Sequence, residues 1–310
     1  MEQEDGYLLD NRRAEAGVRF DALAELFDPW TFRHFEDIGV APGWSCWEVG
    51  AGGPSVPRWL ARRVGDRGRV LATDIDVSWL REAPGGRPGW VGRERPGGRP
   101  GWVGRERPGG RPGWVGRERN DSAVEVRSHD VARDEPPAET FDLVHARLVL
   151  VHLPDRDRVL RSLVRSLRPG GVLLIEDADP ALQPLACPDE HDAPQRLANR
   201  IRTGFRALLA ARGADLGYGR TLPRLLRTAG LEDVRADAFF PMTSPACGVL
   251  EAATVRQLRD PLIAHGHATA EEIDAHLAAI TAGHVDLATA PMISAWGRRP
   301  DGPSPGPEVR

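Results

Sequence analysis

The residues best suited to chemistry lie between Trp44 and Asp76, where the chain reads Trp-Ser-Cys-Trp-Glu-Val-Gly-Ala-Gly-Gly-Pro-Ser, a helix-like stretch, then Arg-Val-Leu-Ala-Thr-Asp-Ile-Asp. Strand, glycine turn, helix, strand and terminal acid in that order frame a nucleotide-type cofactor site. The turn Gly50-Ala51-Gly52 lets backbone N–H groups approach a ligand closely at a helix N-terminus, and Asp74, with Ile75 beside it, can accept hydrogen bonds from both hydroxyls of a ribose. Glu48 narrows the choice of ligand. A dinucleotide fingerprint would place its third glycine at position 55, where Ser55 stands, and a pyrophosphate gains nothing from a carboxylate nearby.

S-adenosylmethionine carries a positive ammonium and sulfonium where NAD carries phosphates, so an acid beside the turn becomes favourable. The pattern Glu48-x-Gly50-x-Gly52 resembles the first motif of the class I S-adenosylmethionine-dependent methyltransferases. Further landmarks follow in that family's order: an alternating strand from Ala123 to His129 ending in Asp130-Val131, then Phe141 to Arg147, then Leu167-Arg168-Pro169-Gly170-Gly171 leading into Val172 to Glu176. The resemblance covers roughly Ala41 to Asp179. One departure is Pro54, where many members carry a third glycine; proline suits the first position of a helix because its fixed φ is helical and it has no N–H to leave unpaired.

The resemblance implies a site. Glu48 would meet the methionine amino group, Gly50, Ala51 and Gly52 would supply close backbone approach, Asp74 would hold the ribose, and Asp130 with Val131 would read the adenine. Arg147 would contact the cofactor or steer an anionic acceptor, and Tyr7, in the segment that closes over the cofactor in similar enzymes, would touch it. The product would be S-adenosylhomocysteine. Because methyl transfer from a sulfonium is an in-line displacement with a good leaving group, a base is needed only when the acceptor must lose a proton. His152, just beyond strand four, and His145, within it, are the two candidate bases, with His191 a weaker alternative. Each has a plainer reading: His145 as a buried, hydrogen-bonded core residue and His152 as a helix cap.

By the same resemblance, the elements that must position these residues would form an α/β fold, a doubly wound Rossmann-like seven-stranded sheet whose strand seven runs antiparallel between strands five and six. Residues 1–43 form an N-terminal helical cover, with apolar positions at Val18, Leu23, Leu26 and Phe27. Residues 44–180 form the cofactor-binding core. Cap helices occupy 181–232, with Leu197, Ile201, Phe205, Leu208 and Leu209 as a helical stripe, and 233–299 hold the C-terminal strands and a helix announced by the capping box Thr269-x-x-Glu272. The proline- and glycine-bearing tail, 300–310, reads as disordered.

Residues 84–119 are three identical copies of Pro-Gly-Gly-Arg-Pro-Gly-Trp-Val-Gly-Arg-Glu-Arg, falling between strands two and three. Nine arginines against three glutamates give this insert +6, which leaves −10 of the net −4 to the rest of the chain. Perfect identity over short units points to recent duplication, and the glycine and proline content argues against a stable helix or strand. The plain reading is a disordered loop; the sharper one is an arginine and tryptophan arm for single-stranded nucleic acid.

A chain of 310 residues that is 41% hydrophobic and 28% charged suits one large α/β domain with additions. No apolar run approaches the roughly 18 residues a membrane span needs, and the acidic N-terminus lacks the regions of a signal peptide, so a cytoplasmic protein is expected. Cys46, Cys187 and Cys247 are too scattered for a disulfide framework, and no metal-ligand cluster is read. The expected function is methyl transfer to an O, N or C atom of a small organic molecule such as a secondary metabolite, with nucleic acid an unfavoured partner and a homodimer compatible with the apolar cover. The alternatives are an RNA-acting methyltransferase that uses the insert, and a cofactor-binding fold adapted to non-methylating chemistry.

Overall fold

The computed structural model describes Leu8 and residues 14–81, 124–138 and 140–301. Tyr7, the insert at 84–119 and the tail beyond residue 301 lie outside the described residues.

Seven strands form one sheet: β1 (Ser45–Val49), β2 (Arg69–Asp74), β3 (Val124–Ser128), β4 (Phe141–Arg147), β5 (Leu167–Ala178), β6 (Glu232–Phe239) and β7 (Met292–Arg298). Their order is β3-β2-β1-β4-β5-β7-β6, parallel except that β7 pairs antiparallel with both β5 and β6. The central strands are buried on both faces, which is why β1, β4 and the later part of β5 read as nearly continuous apolar runs. The acids and histidines that interrupt those runs, Glu48, His145 and Glu176, are therefore costly exceptions that must find partners. Pairing between β4 and β5 breaks between Phe141↔Leu167 and Leu143↔Val172, so the Arg168 to Gly171 turn loops out of register.

One sheet face carries Cys46, Val70, Leu143, Val172 and Leu174, which pack against α2 (Ser55–Val64) and the C-terminal half of α1 (Ala14–Ile38). In α2 the buried Val56, Leu60, Ala61 and Val64 recur at helical spacing, and the helix starts one residue after Pro54, so the proline precedes the first helical position instead of filling it. The other face, with Trp47, Leu71, Val144 and Leu173, packs against α4 (Arg156–Arg165) and α6 (Leu222–Thr228). The four-residue helix α3 (Ser78–Arg81) follows β2.

The cover differs from the expected one in extent. Besides α5 (Ala193–Ala211), three helices lie between β6 and β7: α7 (Pro245–Gln257), α8 (Arg259–Ala264) and α9 (Ala270–Ala282). They share a core with α5 through Ile201, Leu208, Val255, Leu262 and Ile273, so the cap draws on two separate stretches of chain. Leu26 and Phe27 of α1 join this layer beside Ala198 and Ala246, whereas Val18, expected on the same stripe, is 46% exposed. Thr269 and Glu272 form the expected capping box, which satisfies two amides at the start of α9.

Candidate active site

The glycine turn sits at the C-terminal end of β1. Gly50 and Gly52 both adopt left-handed backbone, with φ of +62° and +59°, which a side chain would strain. Space is equally limiting: a Cβ on Gly50 would lie 2.4 Å from Val149 Cγ2, and one on Gly52 would lie 2.9 Å from Phe20 Cε1. The two glycines thus let the turn slip between the segment after β4 and the covering helix α1. Ala51 donates its N–H to the Thr73 carbonyl at 3.0 Å, tying the turn to β2.

Asp74, the last residue of β2, is buried and accepts from Gly52 N–H at 2.9 Å on Oδ2 and from Asp76 N–H at 3.0 Å on Oδ1. Burial pushes its pKa up, and the backbone donors work against that rise. A carboxylate has about four lone-pair sites, so further acceptor capacity remains for hydroxyl donors. Ile75 beside it is 58% exposed. Beyond β3, Asp130 accepts from Ala132 N–H at 2.9 Å, while its own N–H donates to Asp134 at 2.7 Å. Val131 packs against the core cluster beneath β1 and β4.

The expected role of Glu48 changes. Its side chain is buried, and Oε2 lies 2.6 Å from His145 Nδ1, because the β1–β4 register sets these two residues directly opposite each other. His145 Nε2 faces Glu176 Oε2 at 3.3 Å. Glu176 also accepts from Ser294 Oγ at 2.7 Å and from Thr31 Oγ1 of α1, and it lies 3.0 Å from His34 Nδ1. His34 reaches on to Asp237 of β6, Nε2 to Oδ1 at 2.9 Å. A polar chain thus runs across one sheet face from β1 to β6, under the C-terminal half of α1.

The charges in that chain follow from its surroundings. Burial lowers the pKa of His145, but the charge of Glu48 and the bonds to Glu176 and Glu48 outweigh it and lift it to about 9. Burial likewise raises Glu176, yet the hydrogen bonds from His145 and His34 hold it well below the carboxylate range. For Glu48 burial prevails and its pKa is raised. Fully buried, and with a carboxylate on each ring nitrogen, His145 has no face to offer a substrate. The structure thus replaces the reading of His145 as a base with the plainer one.

Arg147 differs from expectation as well. Its guanidinium donates to Asp28 Oδ1 at 2.9 Å and Thr31 Oγ1 at 3.0 Å, so it fastens the end of β4 to α1. The next residue, Leu148, has φ of +58° and donates its N–H to the Glu176 carbonyl at 2.8 Å. This sharp turn leads into a single 3₁₀ turn, Leu150–His152, whose Val151 N–H donates to Asp177 Oδ2 at 3.3 Å. His152 is half-buried there. Burial and then the charges of Arg19 and Arg156 push its pKa down to about 4, leaving it neutral at pH 7. His191 lies exposed on the cap with Nδ1 3.3 Å from the Asp189 carbonyl. Among the described residues no group of three or more His, Cys, Asp or Glu could hold a metal ion, and no helix is long and apolar enough to cross a membrane.

Thr31, His34, Glu176, Asp237 and Ser294 were not singled out by sequence reasoning. Only Glu176 carried a signal, as a carboxylate within the apolar run Val-Leu-Leu-Ile-Glu, where burial demands a partner.

A sheet of this order with β7 reversed, a glycine turn after β1 and an acid closing β2 make up the class I S-adenosylmethionine-dependent methyltransferase fold. The chain belongs to the methyltransferase-domain family, whose model matches residues 46–236, more than half of its length. It is 38% identical over 97 residues to methyltransferase str2 of Strobilurus tenacellus, covering 30% of this chain and 32% of that one. It is also 30% identical over 179 residues to the ubiquinone/menaquinone biosynthesis C-methyltransferase UbiE of Vibrio parahaemolyticus, covering 54% and 57%. The chain therefore spans between about a third and just over half of these relatives. Among solved structures it resembles a phosphoethanolamine N-methyltransferase 2 of Haemonchus contortus in complex with S-adenosyl-L-methionine, with a TM-score of 0.51, 14% identity, and 97% of this chain and 61% of that one covered. At that identity the likeness shows the fold.

Proposed function

We propose that the chain transfers a methyl group from S-adenosylmethionine to an O, N or C atom of a small organic acceptor. The observation that carries this is the Gly52 amide donating to Asp74. A phosphate cradle needs its loop amides free, whereas this turn already presents a carboxylate, which suits ribose hydroxyls and a cationic ligand. The residues fit the cofactor on that ground. Gly50, Ala51 and Gly52 would lie along it, Asp74 would accept from its ribose, and Asp130 with Val131 would border its adenine.

When bound, S-adenosylmethionine supplies an electrophilic methyl group on a sulfonium. The chain's own contribution is position and exclusion of water. Phe20 closes over Gly52, Val149 closes against Gly50, and α5 with α7 to α9 builds the roof. Glu48 holds His145 and thereby the ends of β1 and β4, and Arg147 keeps α1 docked. His152, neutral at pH 7, accepts a proton where the acceptor must lose one. Names such as phosphoethanolamine N-methyltransferase and UbiE among the relatives support a small-molecule acceptor.

Isothermal titration with S-adenosylmethionine, S-adenosylhomocysteine and NAD tests the reading. Micromolar binding of the first two with none of NAD is expected, and NAD binding, or silence from all three, would overturn it. Asp74→Ala should weaken the first two by about 1–3 kcal/mol, since buried hydroxyls lose a charged acceptor.

A further inference from the structure

Arginines that touch the cover come in two kinds. Arg147 meets Asp28 at 2.9 Å and Arg202 meets Glu251 at 2.6 Å, each a compensated ion pair. Arg19 of α1 is only 5% exposed, yet among the described residues no carboxylate lies within ion-pair distance of it. Its Nη1 donates to the neutral Gln257 Oε1 of α7 at a long 3.3 Å, and its Nε has no partner among the described residues. A buried guanidinium with an orphaned donor is among the costlier arrangements a fold can hold, and a counter-ion relieves it.

Its position says where that counter-ion would sit. Arg19 precedes Phe20, whose ring packs on Gly52, and it bonds to α7 of the cap. Its charge acts on His152 in the turn after β4, together with that of Arg156. It therefore lies where the glycine turn, the turn after β4 and the roof converge. Resting on the methyltransferase reading above, we infer that Arg19 receives the carboxylate of a molecule bound at the methyl-transfer site, forming an ion pair that no described residue supplies. A guanidinium matches a carboxylate through paired N–H donors, and Nε with one Nη presents that fork. Two sources offer this chemistry: the methionine carboxylate of the cofactor, and a carboxylate on the acceptor.

The test compares wild type with Arg19→Gln and Arg19→Lys as full chains. Cofactor affinity is measured with S-adenosylmethionine and with its decarboxylated form. The acceptor side is probed by titrating benzoate, against neutral benzamide, into protein saturated with S-adenosylhomocysteine. If the cofactor is the source, Arg19→Gln weakens S-adenosylmethionine about tenfold or more and leaves the decarboxylated form unchanged. If the acceptor is the source, S-adenosylmethionine binds both proteins alike, benzoate binding is lost in Arg19→Gln, and benzamide does not distinguish them. Arg19→Lys should keep part of either affinity. Unchanged S-adenosylmethionine affinity together with no Arg19-dependent benzoate binding overturns the inference.

A purely structural arginine would lower the melting temperature of the ligand-free protein on substitution. Here Arg19→Gln should melt no lower than wild type while showing a smaller ligand-induced shift, and a large loss of ligand-free stability would also refute the proposal. Failure of wild type to bind S-adenosylmethionine strikes at the methyltransferase reading. Wild-type binding that Arg19→Gln leaves untouched, with no Arg19-dependent benzoate binding, strikes only at this inference.

Discussion

Replacing His145 by leucine should remove a pH-dependent share of the fold's stability. An unfolded histidine titrates near 6.5, whereas His145 between Glu48 and Glu176 titrates at about 9. Below pH 6.5 both states hold the proton and its stabilisation is complete. Between 6.5 and 9 only the folded state holds it, so stability falls as pH rises, by about 1.4 kcal/mol per unit. Over that window the loss is on the order of 3 kcal/mol. At pH 6.5 the variant itself should be weaker by roughly 3–5 kcal/mol, because two buried carboxylates lose their shared partner. The lower figure applies if Glu48, already raised by burial, neutralises by taking up a proton. Urea unfolding of wild type and His145→Leu at several pH values from 6.5 to 9 reads this, since groups outside the Glu48–His145–Glu176 cluster cancel in the difference. Wild type should lose its advantage as pH rises. Parallel curves across the window would refute the charged bridge and the role given to Glu48.

Gly50→Ala would place a methyl 2.4 Å from Val149 Cγ2 at a φ of +62°, so it should cost about 1–3 kcal/mol in stability and weaken S-adenosylmethionine binding; unaltered melting and titration would contradict the close packing described. His152→Gln should lower kcat by about a hundredfold for an acceptor that must be deprotonated while leaving cofactor affinity intact, and an unchanged kcat would remove it as a base. Because burial and two arginines hold His152 near 4, wild-type kcat should stay flat from pH 7 down to 5, and an acid limb near 6.5 would contradict that environment. Arg147→Met strips Asp28 and Thr31 of their donor, so hydrogen exchange should quicken along α1 before the sheet, whereas uniform protection would show that the helix docks without it.

The sheet was readable because parallel strands covered on both faces leave unbroken apolar runs, and because glycines and acids punctuate their ends at fixed offsets. The cap was readable only in part. The stripe of α5 uses Leu, Ile and Phe, whereas α7 buries Ala246, Cys247, Ala252 and Ala253, small residues that raise no hydrophobic periodicity. Candidate site residues divide in a similar way. Gly50, Gly52 and Asp74 owe their arrangement to a local turn, and spacing finds such residues. Glu48 and Arg147 owe theirs to partners 97 and 119 residues away, set by strand register and by where α1 lies.

That helix links the two kinds. Its C-terminal half is anchored on the sheet by Thr31 and His34, which bind Glu176, and by Asp28, which binds Arg147. Its N-terminal half carries Phe20 onto Gly52 and Arg19 toward His152 and α7. The helix runs on through Pro29, which removes one backbone bond between its halves, so the polar chain on the sheet face bears on where the cover meets the glycine turn through the continuity of α1. If the glycine turn seats the cofactor as proposed, Glu176 bears on that seat through α1, and its isosteric loss in Glu176→Gln should appear as weaker S-adenosylmethionine binding measured by titration. If that affinity were unchanged while stability fell, α1 would be held at the turn by Phe20 and the cap alone.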